Sequence, residues 1–136
     1  MGSTALRGRE ADYNRGVERR STGLLRVPFI VRCALQFDGV PLGHAYLVNI
    51  NVLGSYVARD DLPRLGEHVT VRFRIPESER EVGLEGVVAW LNPRQQHPVH
   101  SLPPGFGISF RELSDGNRRA IEGVVEEYIA RHPVAR

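Results

Sequence analysis

Lysine is absent from this 136-residue sequence, cysteine occurs once, and no long hydrophobic run is present. The single cysteine, Cys33, excludes an intramolecular disulfide and a cluster of thiolate metal ligands. Because no apolar run approaches the ~20 residues that a transmembrane helix requires, we expect no membrane span. The first residues are polar and rich in arginine, without the apolar core of a secretory signal, so we expect a cytoplasmic protein. The length suits a single domain with its own core.

All eighteen basic residues are arginine, and their distribution is uneven. Residues 1–26 contain six arginines and three acidic residues, whereas the rest of the chain contains twelve arginines and thirteen acidic residues. We expect residues 1–18 to form a flexible, disordered basic arm that becomes ordered on an anionic ligand. The simpler interpretation of this arm is a solubilising tail. The domain is predicted to span residues 19–131, followed by a tail at residues 132–136.

Apolar and polar residues alternate from residue 27 onward, which is typical of strands with one buried face. One face of the first predicted strand carries Phe29, Val31, Cys33, Leu35 and Phe37. Asp38-Gly39 then predicts a two-residue hairpin turn, because both central positions of a type I′ turn need positive φ. A second strand is predicted from Leu42 to Val48. Further strands are predicted at residues 55–58, 69–75, 81–91 and 105–110.

The last segment has the apolar spacing of an amphipathic helix. Its apolar stripe consists of Ile121, Val124, Val125, Tyr128 and Ile129. Ser114 is the predicted N-cap, and Pro133 ends the helix after Arg131. Six short strands followed by one helix predict an all-β fold with a C-terminal helix, built as a small antiparallel β-barrel. The helix would act as a lid on the barrel or as a dimer contact.

A polar corner separates two apolar runs between residues 46 and 57. It contains Asn49, Asn51 and Gly54. These residue types favour a turn, which is the simpler interpretation. They also suit a ligand site, because a carboxamide both donates and accepts hydrogen bonds and glycine permits a close approach.

Motifs of catalysis are missing from the sequence, so we expect a protein that is not an enzyme. His97 and His100 have the spacing of a metal-ligand pair, but they lie in a proline-rich loop without a third ligand nearby, which favours a solvated loop and no metal site. Trp90, near the end of the fifth strand, is interpreted as core or lid packing, with a stacking platform for a base as the alternative.

Several of these segments together resemble the PilZ domain family. They are the opening Arg26-Val-Pro28, the Asn-x-Asn-x-x-Gly corner at residues 49–54, Val-Val-Ala-Trp90, Gly-Phe-Gly-Ile-Ser-Phe110 and the closing helix. The resemblance covers about residues 18–130 and implies a six-stranded antiparallel split barrel with a C-terminal helix. It also implies that the ligand is the bacterial second messenger cyclic di-GMP, and it implies no other cofactor.

The two motifs of that family are matched in part. Arg26 resembles the second arginine of Arg-x-x-x-Arg, whereas Thr22 stands where the first would be and Arg19 and Arg20 lie further upstream. In the second motif, Asp/Asn-x-Ser-x-x-Gly, the corner matches at its first and last positions, with asparagine where serine is usual. The ligand-binding residues that the resemblance implies, together with the aromatic on the fifth strand, are Arg19, Arg20, Arg26, Asn49, Asn51, Gly54 and Trp90.

The chemistry of these side chains suits such a ligand, because a guanidinium binds a phosphate or the O6 and N7 atoms of guanine through paired donors. Our leading hypothesis is a receptor that binds cyclic di-GMP between the N-terminal arginine segment and the outer barrel wall and relays this to an unidentified partner protein. The alternative is a degenerate PilZ-like adaptor or dimer that binds no nucleotide, which the departures at Thr22 and Asn51 support. A barrel that binds single-stranded nucleic acid is disfavoured, because the chain after residue 26 carries a net negative charge and is expected to expose few aromatic residues.

Overall fold

A computed structural model of the chain describes residues 25–94 and 102–133. Within these ranges the chain forms six strands and one helix. The elements are β1 (Val27–Phe37), β2 (Val40–Ile50), β3 (Gly54–Ala58), β4 (His68–Arg74), β5 (Glu81–Asn92), β6 (Gly105–Arg111) and α1 (Asp115–Arg131). The predicted arm, together with Arg19 and Arg20, lies outside the described residues, so the predicted domain boundaries stay predictions.

The six strands close into a barrel in the order β1-β2-β3-β6-β5-β4, and every neighbouring pair is antiparallel. Closure leaves the barrel without an exposed sheet edge. The prediction of a six-stranded antiparallel barrel followed by a helix is therefore confirmed.

The first hairpin has the predicted turn. Asp38 and Gly39 have φ values of 51° and 81°, as both central positions of a type I′ turn require. Because the turn uses only these two residues, Phe37 pairs directly with Val40. The second strand therefore begins before Leu42, where the sequence pattern places its start, and it also runs further, to Ile50.

The barrel interior is filled by the apolar faces that the alternation predicts. Cys33, Leu35 and Phe37 of β1 are buried, as are Val69, Val71 and Phe73 of β4. Burial raises the pKa of the Cys33 thiol to about 11, since the interior disfavours a thiolate. The cysteine is thus a buried core residue, as expected.

The C-terminal helix begins at the predicted cap, where Ser114 Oγ accepts a hydrogen bond from the Asn117 backbone N–H at 3.0 Å. Ile121 and Val125 are buried and join the barrel core. The helix contacts β1 and β5, so its apolar stripe serves as a lid on the barrel. A dimer contact through the helix stays a prediction.

Candidate functional site

The corner between β2 and β3 is closed by the side chain of Asn51. Its Oδ1 accepts hydrogen bonds from the backbone N–H groups of Leu53 (2.8 Å) and Gly54 (3.0 Å). The backbone N–H of Asn51 in turn donates to the Gly54 carbonyl at 3.0 Å. The residue is only 4% exposed. Asn51 therefore supports the turn from inside, which is the simpler of the two interpretations of the corner, and its contact with a ligand stays a prediction.

Asn49 stabilises an irregular step in the ladder between β2 and β3. The pairing shifts register between Leu47 and Asn49, and Asn49 Oδ1 accepts the backbone N–H of Tyr56 at 3.1 Å. The Asn49 backbone carbonyl accepts a hydrogen bond from Ser55 Oγ at 2.6 Å. Because the Tyr56 N–H fixes which end of the carboxamide is the oxygen, the Nδ2 donors are the group available to a ligand. This geometry favours Asn49 as a donor, through Nδ2, to a phosphate or to guanine O6.

Gly54 is enclosed by the backbone of β6 and by Arg26. A Cβ built on Gly54 would clash with the Ile108 carbonyl oxygen and would lie 3.0 Å from Arg26 Nη2. Glycine is therefore required for the close approach of β3 to β6 and of the guanidinium to the corner. The structure thus gives a packing reason for the glycine, and the predicted contact of a ligand ring with it stays a prediction.

Arg26 precedes β1 and reaches the corner across the end of the barrel. The residue is exposed, but desolvation around its guanidinium lowers its pKa below the ordinary value. An arginine still remains protonated at physiological pH. Among the residues that the structure describes, no carboxylate lies within 4.0 Å of this guanidinium. Arg26 thus brings to the corner a positive charge that no carboxylate of the described residues neutralises, which suits an anionic ligand.

Trp90 and Tyr56 cover the glycines of β6 on the outer wall. The two rings lie 5.3 Å apart between centroids at an angle of 32°. A Cβ on Gly107 would clash with the indole of Trp90. A Cβ on Gly105 would clash first with the Val57 carbonyl oxygen of β3 and would also approach the phenol of Tyr56 to 2.9 Å. Gly107 therefore makes room for the Trp90 side chain, and Gly105 permits the close approach of the β3 backbone and of the Tyr56 ring. Trp90 remains 41% exposed and retains surface for a ligand.

Hydrogen bonds fix the Tyr56 ring in this position. Its hydroxyl donates to the Pro103 carbonyl, and Asn92 Nδ2 donates to the same hydroxyl at 3.0 Å. Burial raises the pKa of the Tyr56 phenol, and the bond from Asn92 opposes that rise. Sequence reasoning missed Tyr56 and Asn92 as members of this wall, although the glycines of β6 signalled that something large packs against them.

The structure brings the predicted site residues that it describes together in two groups, each held by contacts among its own members. Arg26 meets Gly54, which is bonded to Asn51. Asn49 binds the backbone of Tyr56, whose ring packs on Trp90. Arg19 and Arg20 lie outside the described residues, so their position relative to these groups stays a prediction.

The described residues hold neither a metal-ligand cluster nor a membrane-spanning helix. In residues 25–94 and 102–133 no group of three histidine, cysteine or acidic side chains could hold a metal ion. The one described helix is not long and apolar enough to cross a membrane. His97 and His100 lie outside the described residues, so the absence of a metal site there stays a prediction.

Comparison with known proteins identifies relatives in sequence and fold. A family model described as the PilZ domain matches residues 17–127. The inhibitor of motility MotI/DgrA from Bacillus subtilis superposes with a TM-score of 0.65 at 20% identity, covering 79% of this chain and 50% of that chain. The PilZ domain of CeSA from a cellulose-synthesizing bacterium superposes with a TM-score of 0.53 at 10% identity, covering 76% and 97%. The chain spans half the length of MotI/DgrA, and no curated protein matches its sequence.

Proposed function

Because the chain belongs to the PilZ domain family, we propose that it is a cytoplasmic receptor for cyclic di-GMP that relays binding to a partner protein. PilZ domains act as receptors and adaptors, and we propose the same non-enzymatic role here. The observation that carries the proposal is the placement of the Arg26 guanidinium against the corner of residues 49–54. That corner combines a positive charge with the free donors of Asn49, which is the chemistry that a guanine dinucleotide with two phosphates requires.

The ligand would lie between the arginine segment and the outer wall. Arg26 would bind a phosphate or the O6 and N7 edge of a guanine, with Arg19 or Arg20 as the second cation. The Nδ2 donors of Asn49 would bind the adjoining acceptor, and the exposed part of Trp90 would contact a base. If the arm becomes ordered on binding, as its composition predicts, that ordering opposes binding by about 1–2 kcal/mol per residue, and several charge-assisted contacts must then form together.

Calorimetric titration of the purified chain with cyclic di-GMP tests this proposal. We expect saturable binding that Arg26→Ala abolishes, with a circular dichroism spectrum unchanged from the parent. Arg64→Ala is the matched control, because Arg64 is exposed and its guanidinium has no ion pair among the described residues. Trp90 is the single tryptophan, so its fluorescence reports on the same titration. A folded parent protein that gives no heat at high micromolar nucleotide would overturn the receptor proposal.

One observation favours a second function, an adaptor that binds no nucleotide. Asn51 replaces the family's usual serine, and its Oδ1 is occupied by two backbone N–H groups of the turn. Such a corner holds its shape without a ligand. In that case the barrel would act through protein contacts alone, and neither Arg26→Ala nor Arg64→Ala would change its activity in cells.

A further inference from the structure

The outer face of β4, β1 and β2 carries a group of arginines next to exposed apolar side chains. We call this surface the arginine face and define it by Ile30, Arg32, Tyr46, Arg72 and Arg74, all of which are exposed. They share the outer side of the barrel, because the residues that alternate with them in β1, β2 and β4 are wholly or partly buried. The formation of the barrel does not require arginine and apolar side chains to cluster on this outer surface.

Strand register places these side chains side by side. The β1–β4 ladder ends at the pair Cys33 and Phe73, and Arg32 and Arg74 are the next residues beyond it on the two strands. On its other side Arg32 pairs with Tyr46 of β2.

The positive charges of the arginine face are not neutralised within the described chain. None of its three arginines has a carboxylate within 4.0 Å among those residues. Glu81 is the cross-strand neighbour of Arg74, but the two side chains form no ion pair. Arg72 lies beside Gly83, which has no side chain to offer. Carboxylates of another molecule would therefore form charge-assisted hydrogen bonds with these arginines, which no carboxylate of the described residues forms.

Apolar surface accompanies the charge. Ile30 is 73% exposed and Tyr46 is 54% exposed, and both lie within strands of the barrel. Most of the other apolar residues of these strands are buried or partly buried in the barrel interior. Tyrosine and arginine are enriched at the energetically dominant positions of protein interfaces. An aliphatic and an aromatic side chain flanked by guanidinium groups fit a partner segment with both apolar and acidic residues.

The arginine face shares no residue with the candidate nucleotide site. Its side chains lie on the outer side of β1, β2 and β4, whereas Trp90 and Tyr56 of the site pack around Gly107 on β5, β3 and β6. The two surfaces adjoin along β1 and β2, because Arg26 directly precedes β1 and Asn49 lies on β2.

We propose that the arginine face is a docking surface for an acidic segment of a partner protein. The chain's own N-terminal segment does not fit it, because residues 1–26 carry six arginines and only three acidic residues. A nucleic acid does not fit it either, since the chain beyond that segment has a net negative charge and three arginines are few for a phosphate backbone. The proposal does not depend on whether the chain binds cyclic di-GMP.

The test uses a short fluorescein-labelled peptide in which glutamate alternates with leucine and phenylalanine. We expect fluorescence anisotropy to show binding to the full chain, and amide chemical-shift changes to centre on Ile30, Arg32 and Arg74. The double variant Arg32→Glu/Arg74→Glu should weaken binding by roughly tenfold or more. Arg64→Glu/Arg118→Glu changes the net charge equally at two other exposed positions and should bind within about twofold of the parent apart from general charge effects.

Three outcomes would overturn the proposal. One is equal weakening by the two double variants, which would mean diffuse attraction of an acidic peptide to a basic chain. Another is tighter binding of a labelled single-stranded oligonucleotide or of anionic phosphatidylglycerol vesicles than of the peptide, lost in Arg32→Glu/Arg74→Glu. The third is concentration-dependent dimerisation in sedimentation velocity that the same variant abolishes, which would assign the face to a second copy of the chain. Arg32→Gln/Arg74→Gln serves as the milder variant if the charge reversal unfolds the protein.

Discussion

The Arg26 guanidinium lies against Gly54, on the side where any other residue would carry its Cβ. The same side of Gly54 also faces the Ile108 carbonyl of β6. Because Gly54 has no side chain, β3 can pair closely with β6 and the Arg26 guanidinium can approach the corner. A methyl group at Gly54 would therefore disturb the pairing of β3 with β6 and the position of Arg26, a candidate ligand contact, together.

Gly54→Ala should lower the free energy of unfolding by about 1–3 kcal/mol, because the added methyl group must push the β6 backbone away. Urea denaturation followed by circular dichroism measures this. Gly123→Ala is the control, since a Cβ at that exposed helical position would meet no atom within 4 Å apart from its chain neighbours and the nearby backbone of its own helix. We expect that change to raise stability by up to about 1 kcal/mol, as alanine replaces glycine in a helix. Equal stability of Gly54→Ala and the parent would show that β3 and β6 can move apart to accept the methyl group without loss of stability.

Asn51→Ala should destabilise the protein by about 1–3 kcal/mol, because the backbone N–H groups of Leu53 and Gly54 lose their acceptor. Asn51→Asp keeps an oxygen in the same place and should retain most of the stability. Asn51→Ser restores the family's usual residue and should lie between them, since one hydroxyl replaces a longer acceptor. Thermal unfolding of the three variants ranks them. If Asn51→Ala were as stable as Asn51→Asp, the turn would not depend on this side chain.

Much of the fold could be predicted from the sequence because it depends on local rules. Period-two alternation gave the strands of the barrel, Asp38-Gly39 gave the hairpin, and Ser114 gave the start of the helix. Each of these signals lies within a few residues of the feature it specifies. Strand ends were less accurate, as at Val40, because the pairing of β1 with β2 extends the ladder to the edge of the turn.

The candidate site was harder to predict because its contacts join distant parts of the chain. The sequence pattern identified Asn49, Asn51 and Gly54 as a corner, but which of their atoms are already bonded depends on backbone positions in β3 and β6. The pairing of Tyr56 with Trp90 depends on register across β3, β6 and β5. Alternation specifies which face a residue occupies, and it does not specify which neighbour covers it.

Stability should fall as the pH rises through the alkaline range because of Cys33. The folded-state pKa of this thiol is raised from 9.0 to about 11, so the folded protein holds its proton more tightly than the unfolded chain. The stabilisation is fully present below pH 9 and is lost by about pH 11. Two pKa units correspond to roughly 2–3 kcal/mol. Urea denaturation at pH 8 to 11 should show a shallower decline for Cys33→Ala than for the parent, and parallel declines would assign the pH dependence to other groups.

Arg19 and Arg20 should contribute unequally to cyclic di-GMP binding. The family's arginine motif has four-residue spacing, and counting back four positions from Arg26 reaches Thr22, so one of the two upstream arginines must fold back to supply the second cation. Losing one hydrogen bond to a charged group costs about 1.5–3 kcal/mol, which corresponds to roughly ten- to hundredfold in affinity. Calorimetry on Arg19→Ala and Arg20→Ala separately should therefore show a large loss of affinity in one variant and a small loss in the other.

Titrations at low and high salt provide the control. Salt screens distant charges, so a difference in affinity between variant and parent that comes from a specific contact should persist at high salt. Equal small losses at both positions, together with an affinity that falls steeply with salt, would mean that the arm acts only as diffuse positive charge.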